Sequence, residues 1–139
     1  MSQENVDLYY RAVDAIDRHD LSALLALMDD EVDAVSRIVA TEGGLHGHEG
    51  IRRWWDEWFT TFPDYSIEVV EARDVGDVVI ASLRTGGHGA GSDLLVEELI
   101  WQASRWRQRK CVWWQIFETR TEALEAVGLS EQDAHAESS

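Results

Sequence analysis

The side chains that could do chemistry in this chain are two carboxylates, an arginine and an amide in its second half. Glu98 and Glu118 could act as a general acid or base, and Arg84 and Gln102 could hold an oxygen that gains negative charge during a reaction. Apolar surroundings would favour the neutral form of either carboxyl group, and a nearby arginine would oppose that shift. The structural alternative is a cross-strand ion pair of Arg84 with Glu98 or Glu118 that has no catalytic role.

The other reactive side chains give weaker signals. His46 and His48 lie two residues apart in a glycine-rich loop with no evident third ligand, whereas zinc sites need three or four, so we expect neither a metal nor another cofactor. Cys111 follows Lys110, but the sequence places no histidine beside it, which favours a structural role. No serine triad, phosphate-binding loop or dinucleotide fingerprint is present.

Length and composition limit the class of protein. A chain of 139 residues with 45% apolar content fits one globular domain, and a net charge of -15 repels any partner held through phosphates. We therefore expect no nucleic acid partner. A single cysteine fits a reducing compartment, and neither a signal peptide nor a long apolar run is visible, so we expect a cytoplasmic protein without a membrane partner.

The hydrophobic pattern changes from helical spacing to alternation in the middle of the chain. Asp20 can cap a helix, and Pro63, the only proline, ends an aromatic-rich helix, after which alternate residues are apolar. The predicted elements are helices over 4–17, 21–28 and 51–62, a strand over 32–39 before the third helix, strands over 66–73, 77–86, 94–106 and 111–119, and a last helical turn over 122–127. Helices first and an antiparallel meander afterwards indicate an α+β fold.

Several local strings resemble the SnoaL-like branch of the nuclear transport factor two-like, or cystatin-like α+β cone, superfamily. They are Glu4-Asn5-Val6, Asp20-Leu21-Ser22-Ala23-Leu24-Leu25, Leu45-His46-Gly47-His48-Glu49-Gly50-Ile51 and Glu122-Ala123-Leu124-Glu125-Ala126-Val127-Gly128-Leu129. The resemblance implies a curved antiparallel sheet wrapped around three N-terminal helices, which together form a cone with an internal cavity. It implies one such domain over residues 1–129, and the polar, acidic composition of residues 130–139 predicts a flexible tail. The cavity of such proteins takes small, mostly apolar molecules.

Ketosteroid isomerases in that superfamily use a carboxylate base, a tyrosine and a protonated aspartate. The matching positions here hold Val35, Ala12 and Gln102, so the isomerase set is absent. Gln102 could still donate a hydrogen bond to a carbonyl group, but it cannot take up a proton.

The same alignment implies which side chains face the cavity. The implied catalytic residues are Glu118, Arg84, Gln102 and Glu98, and the implied ligand contacts are Tyr9, Val35, Trp55, Ser82, His88, Ile100, Trp114 and Ile116. Tyr9 could instead be an ordinary core tyrosine, and His88 could belong to a flexible glycine-rich connection. A register error of one residue would move the inward-facing side chains of any of these strands to the outer face of the sheet.

Two functions remain open at this point. One is a cofactor-independent lyase, isomerase, cyclase or hydrolase that acts on a small hydrophobic substrate, and the other is a non-catalytic ligand-binding or dimerisation module. A cavity of a few hundred cubic ångströms with Arg84 and Glu118 inside would favour the enzyme, whereas a cavity filled by tryptophan rings would favour the module. Trp101 and Trp113 fall on the outward side of their strands, and we predict that this apolar sheet face forms a homodimer.

Overall fold

A computed structural model of the chain describes residues 2–35 and 44–129. Its elements, in chain order, are α1 (Ser2–Asp17), α2 (Leu21–Ala26), β1 (Met28–Val35), β2 (Leu45–His46), α3 (Gly47–Thr61), β3 (Ser66–Val75), β4 (Val78–His88), β5 (Leu95–Arg107), β6 (Lys110–Phe117) and α4 (Arg120–Ala126). The predicted α+β class, with three helices before the long strands, is confirmed. The end of the strand predicted over 32–39 and the predicted tail over 130–139 lie outside the described residues.

One six-stranded sheet carries the fold, in the order β2-β1-β6-β5-β4-β3. The neighbouring strands are antiparallel except β1 and β6, which run parallel because the chain between them crosses through α3 and the meander. The β5–β6 hairpin turns at Gln108 and Arg109, whose φ angles are 51° and 65°. Two positive φ angles give the turn a twist that matches the twist of its strands.

Side-chain hydrogen bonds define where two of the helices begin. Asp20 accepts a hydrogen bond from the backbone N–H of Ala23, 3.0 Å away, as its predicted capping role requires. Thr119 and Glu122 form a reciprocal capping box at the start of α4. At the other end of α3, Pro63 follows the last turn and prevents the helix from continuing.

The main core lies between the helices and the inner face of the sheet. Helix α1 packs on β3 and α3 packs on β1. Leu83 and Val79 of β4 are buried there together with Trp106 of β5 and Trp114 of β6. The burial of this face holds the helices over the strands and encloses a space between them.

A second, smaller core lies on the outer face, beneath α4. Leu124 of α4 is 1% exposed and packs with Ile80 and Ala103, and Trp101 and Trp113 lie partly buried against the same cluster. Those two tryptophans thus face outward, as predicted, but the C-terminal helix covers part of their surface. In the described part of the chain, no helix is both long enough and apolar enough to cross a membrane.

Candidate functional site

A cavity of about 70 Å³ lies between the helices and the inner face of the sheet. Aromatic and aliphatic side chains form most of its wall. The described lining residues are Tyr9, Ala12, Val13, Ile16, Leu24, Met28, Trp54, Trp58, Tyr65, Ile67, Leu83, Thr85, Glu98, Ile100, Gln102, Ser104, Trp106, Cys111, Trp114 and Ile116. Such a wall, apolar with a few polar groups, is typical of sites for small organic molecules.

The principal polar pair of the wall is Tyr9 with Gln102. The Tyr9 hydroxyl donates a hydrogen bond of 2.6 Å to Oε1 of Gln102, which joins α1 to β5 across the cavity. Burial raises the pKa of Tyr9 well above its ordinary value, so the hydroxyl stays protonated and acts as a donor. Because Oε1 is thereby occupied, Gln102 can offer its Nε2 amide hydrogens to a ligand, although it cannot transfer a proton.

Two further polar side chains of the wall, Ser104 and Cys111, are neutral and hydrogen-bonded within the protein. Ser104 accepts a hydrogen bond of 2.9 Å from the indole nitrogen of Trp106, and its hydroxyl lies 3.4 Å from the carbonyl oxygen of Val79. The thiol of Cys111 donates to the carbonyl of Trp113 at 3.4 Å. Burial raises the pKa of Cys111 to about 12, which makes this thiol a poor nucleophile at neutral pH.

On β5 and β6, the predicted facing agrees with the observed one. Glu98, Ile100 and Gln102 alternate along the cavity side of β5, and Trp114 and Ile116 do so on β6. Glu98 is exposed and is the only carboxylate among the described lining residues.

On β4, the predicted facing is wrong by one residue. Ser82 pairs with outward-facing Trp101, whereas Leu83 pairs with inward-facing Ile100, so Ser82 and Arg84 point away from the cavity. The reason lies in the burial of β4, whose first six residues are all buried because the main core covers one face and α4 the other. A strand buried on both faces lacks the alternation that would define its register.

Arg84 therefore pairs with neither Glu98 nor Glu118, the two partners considered from the sequence. Its guanidinium lies 2.7 Å from the carboxylate of Glu68 on β3, and the two side chains are 58% and 63% exposed. The expectation of a cross-strand ion pair was right in kind, but the partner is neither Glu98 nor Glu118. A pair this exposed does not belong to the cavity.

Glu118 also lies outside the cavity. Strand β6 ends at Phe117, so the alternation does not extend to Glu118, which is exposed beside Glu122 and Glu125 of α4. Val35 closes β1 and is not among the lining residues. Glu118 is therefore not placed to act as the predicted base, and Val35 is not placed to contact a ligand.

His88 links the end of β4 to the segment that follows α3. Its backbone N–H and its Nδ1 both lie 2.7 Å from the carboxylate of Asp64, just after Pro63, and this contact lowers the pKa of Asp64. The pair fixes the end of β4 to the end of α3. His88 is not among the lining residues, so its predicted contact with a ligand is also wrong in position.

On helix α3, the tryptophans that line the cavity are Trp54 and Trp58 and not the predicted Trp55. Residues four apart share one helix face, so Trp54 and Trp58 face the sheet together, while Trp55 lies to the side and packs against Phe59 with ring centres 4.6 Å apart. Trp54 in turn meets Trp114 edge-on at 5.4 Å. The spacing of the helix could have identified this pair.

His46, in β2, and His48, in the first turn of α3, contact carboxylate and carbonyl groups instead of lying in the predicted loop. His46 lies 2.9 Å from Asp33, and its other nitrogen is 3.4 Å from Glu31, while His48 lies 2.9 Å from the carbonyl oxygen of Met28. Across residues 2–35 and 44–129, no group of three or more potential ligands is arranged to hold a metal ion.

Comparison with known proteins agrees with this geometry. The family model of the SnoaL-like domain matches residues 9–119. The chain belongs to the SnoaL-like domain family. The resemblance to the nuclear transport factor two-like superfamily, and with it the cone fold, is thereby confirmed. No curated protein matches the sequence significantly.

Three solved structures illustrate the likeness of fold. An NTF2-like protein of unknown function from Burkholderia pseudomallei has a TM-score of 0.74 at 15% identity, covering 92% of this chain and 99% of its own. A putative SnoaL-like polyketide cyclase from Jannaschia sp. has a TM-score of 0.72 at 16% identity, covering 84% and 85%. AclR, a putative hydroxylase from Streptomyces galilaeus, has a TM-score of 0.72 at 17% identity, covering 92% and 98%. At these identities the likeness concerns the fold alone.

Proposed function

We propose that this SnoaL-like protein binds a small, neutral, largely apolar molecule inside the cone. The observation that carries the proposal is the Tyr9–Gln102 pair in an otherwise mostly apolar cavity. It fixes one amide group against which a ligand can be oriented, and the surrounding rings supply apolar contact area.

The volume of the cavity limits the size of the ligand that can bind. The free space of about 70 Å³ is roughly half of the ~150 Å³ that accommodates benzene in an engineered apolar cavity. A molecule of a few heavy atoms fits as the walls stand. A larger ligand requires side chains of the wall to move, and Ile116 among them is only partly buried.

Catalysis is the second candidate, and it rests on Glu98. Arg84 and Glu118 lie outside the cavity, and four tryptophan rings line it, which favours binding without turnover. Glu98, on the wall and open to solvent, is the described residue best placed to move a proton. A lyase, isomerase, cyclase or hydrolase would have to use this carboxylate, with Gln102 holding a developing negative charge.

A thermal-shift screen with small neutral compounds tests the binding proposal. We expect compounds that raise the melting temperature of the wild type to lose this effect in Ile116→Trp, which fills the cavity. The matched control, Gln115→Trp, places the same ring on the outward side of the same strand and should keep the effect. The proposal fails if no compound stabilises the wild type, or if both variants respond like it. Turnover of a stabilising compound that disappears in Glu98→Gln would support the second candidate.

For the partner, we propose a second copy of the chain on the outer sheet face. Leu95 and Leu99 on that face are 49% and 58% exposed, and the Arg84–Glu68 pair lies beside Leu99, which gives the surface apolar and charged parts that a two-fold copy can match. Sedimentation should show a dimer that Leu99→Glu converts to a monomer. A monomeric wild type would contradict this proposal.

We also propose a cytoplasmic location. The one cysteine is a buried free thiol, which fits a reducing compartment. Recovery of the protein from an extracytoplasmic fraction would contradict this.

A further inference from the structure

Two polar groups on the cavity wall remain without a partner once the internal hydrogen bonds are assigned. The indole Nε1 of Trp58 is buried and has no acceptor among residues 2–35 and 44–129. Gln102 accepts through Oε1 from Tyr9, and its Nε2 donates to no acceptor in the same part of the chain. Both groups are N–H donors.

The position of the Trp58 ring is set by its neighbours. Tyr65 meets the Trp58 ring edge-on, with ring centres 5.1 Å apart. The ring of Phe62, at the C-terminal end of α3, packs against it with ring centres 5.4 Å apart. Because these contacts restrict the ring, the indole nitrogen cannot turn freely towards solvent. A buried donor without an acceptor costs free energy, and an occupant that brings an acceptor recovers it.

The charge of the wall decides which kind of acceptor fits. None of the described lining residues is a lysine, arginine or histidine, and the one charged residue among them is Glu98. A carboxylate or phosphate in this cavity would be a buried anion without a counter-charge, in a chain of net charge -15. A cation would suit the aromatic rings and Glu98, but it would face two N–H donors. A neutral oxygen acceptor satisfies both donors, since a carbonyl oxygen has two lone pairs.

We propose that Trp58 and Gln102 donate hydrogen bonds to the carbonyl oxygen of a neutral ligand, and that Trp58 selects such a ligand over a hydrocarbon of the same size. This inference rests on the proposed binding function. It assigns Trp58 a role in specificity that packing alone does not require.

Nuclear magnetic resonance of the indole N–H groups tests the inference with three small probes of equal heavy-atom count: acetone, isobutane and the trimethylammonium ion. The Trp58 signal is assigned by its loss in Trp58→Phe, with Trp101→Phe, on the outer face, as the control variant. We expect acetone to shift the Trp58 proton downfield and to bind about 5- to 10-fold more tightly than isobutane, the effect of one hydrogen bond. That preference should fall in Trp58→Phe and remain in Trp101→Phe.

The possible results separate the inference from the proposed function. Equal binding of ketone and hydrocarbon, with no change in the Trp58 proton, overturns the inference and leaves a ligand-binding cavity. Tighter binding of trimethylammonium overturns it in favour of a cationic ligand. If no probe perturbs any lining residue, both the inference and the proposed function fail. If Trp58→Phe does not fold, the wild-type Trp58 signal is assigned instead from its proximity to the rings of Tyr65 and Phe62, and its shift still decides the matter.

Discussion

Breaking the contact between Tyr9 and Gln102 should destabilise the protein in a way that reveals their coupling. Tyr9→Phe removes the hydroxyl that donates the 2.6 Å hydrogen bond and leaves Oε1 of Gln102 without its partner. Gln102→Leu removes the acceptor and leaves the Tyr9 hydroxyl inside an apolar wall. Each single change leaves one polar group without a hydrogen-bond partner, whereas the double variant removes both groups.

The expected magnitudes follow from the burial of the pair. Tyr9 is 2% exposed, so each single variant should lose about 1–3 kcal/mol of unfolding free energy, the cost of a buried polar group without a partner. The double variant should lose about 1–2 kcal/mol less than the sum of the two single losses.

Urea denaturation of the four proteins measures this coupling, and Arg84 with Glu68 provides a control pair. That ion pair is 2.7 Å long but largely exposed, so its double-mutant cycle should give less than about 1 kcal/mol. Purely additive losses at Tyr9 and Gln102 would refute the claim that the two side chains act as one unit across the cavity.

Three further predictions concern other parts of the molecule. Leu83→Ala on the cavity wall should cost about 2–5 kcal/mol and Leu94→Ala, in the exposed segment before β5, within about 0.5 kcal/mol, as measured by denaturation; equal costs would contradict the observed burial. Burial raises the pKa of Cys111 to about 12, so this thiol has on the order of 10³-fold less thiolate than a free cysteine at neutral pH. A thiol reagent should therefore label Cys111 only as the chain opens. Rapid labelling of the native protein would contradict this prediction. The hydrogen bond that His46 donates to Asp33 raises the pKa of His46. The stability from this contact is therefore present below the unfolded-state pKa and is lost as the pH rises through the folded-state pKa. Asp33→Asn should lower the pKa of His46 in an NMR titration, and an unchanged titration would refute the contact.

The sequence predicts the fold well because its patterns are local and consistent with one another. The helical spacing before Pro63, the cap at Asp20 and the alternation afterwards each correspond to an element of the structure. Where alternation survives in the sequence, on β5, it also indicates that Ile100 and Gln102 share the inner face.

The candidate site is less predictable, because it depends on contacts between distant segments. Strand β4 is buried on both faces, so its sequence does not show which side Leu83 and Arg84 take. The end of β6 at Phe117, which places Glu118 on the surface, is decided by the capping of α4. The unpaired nitrogen of Trp58 depends on what surrounds the ring, and no spacing rule identifies it.

The most direct test of the binding proposal is a methyl NMR spectrum recorded while a stabilising neutral compound is added. Ligand inside the cone should shift the methyl signals of Leu83, Ile100 and Ile116 and leave those of Leu95 and Leu99 in place. Shifts confined to Leu95 and Leu99, with the inner methyl groups unmoved, would show that the compound binds the outer sheet face and would contradict an internal binding site.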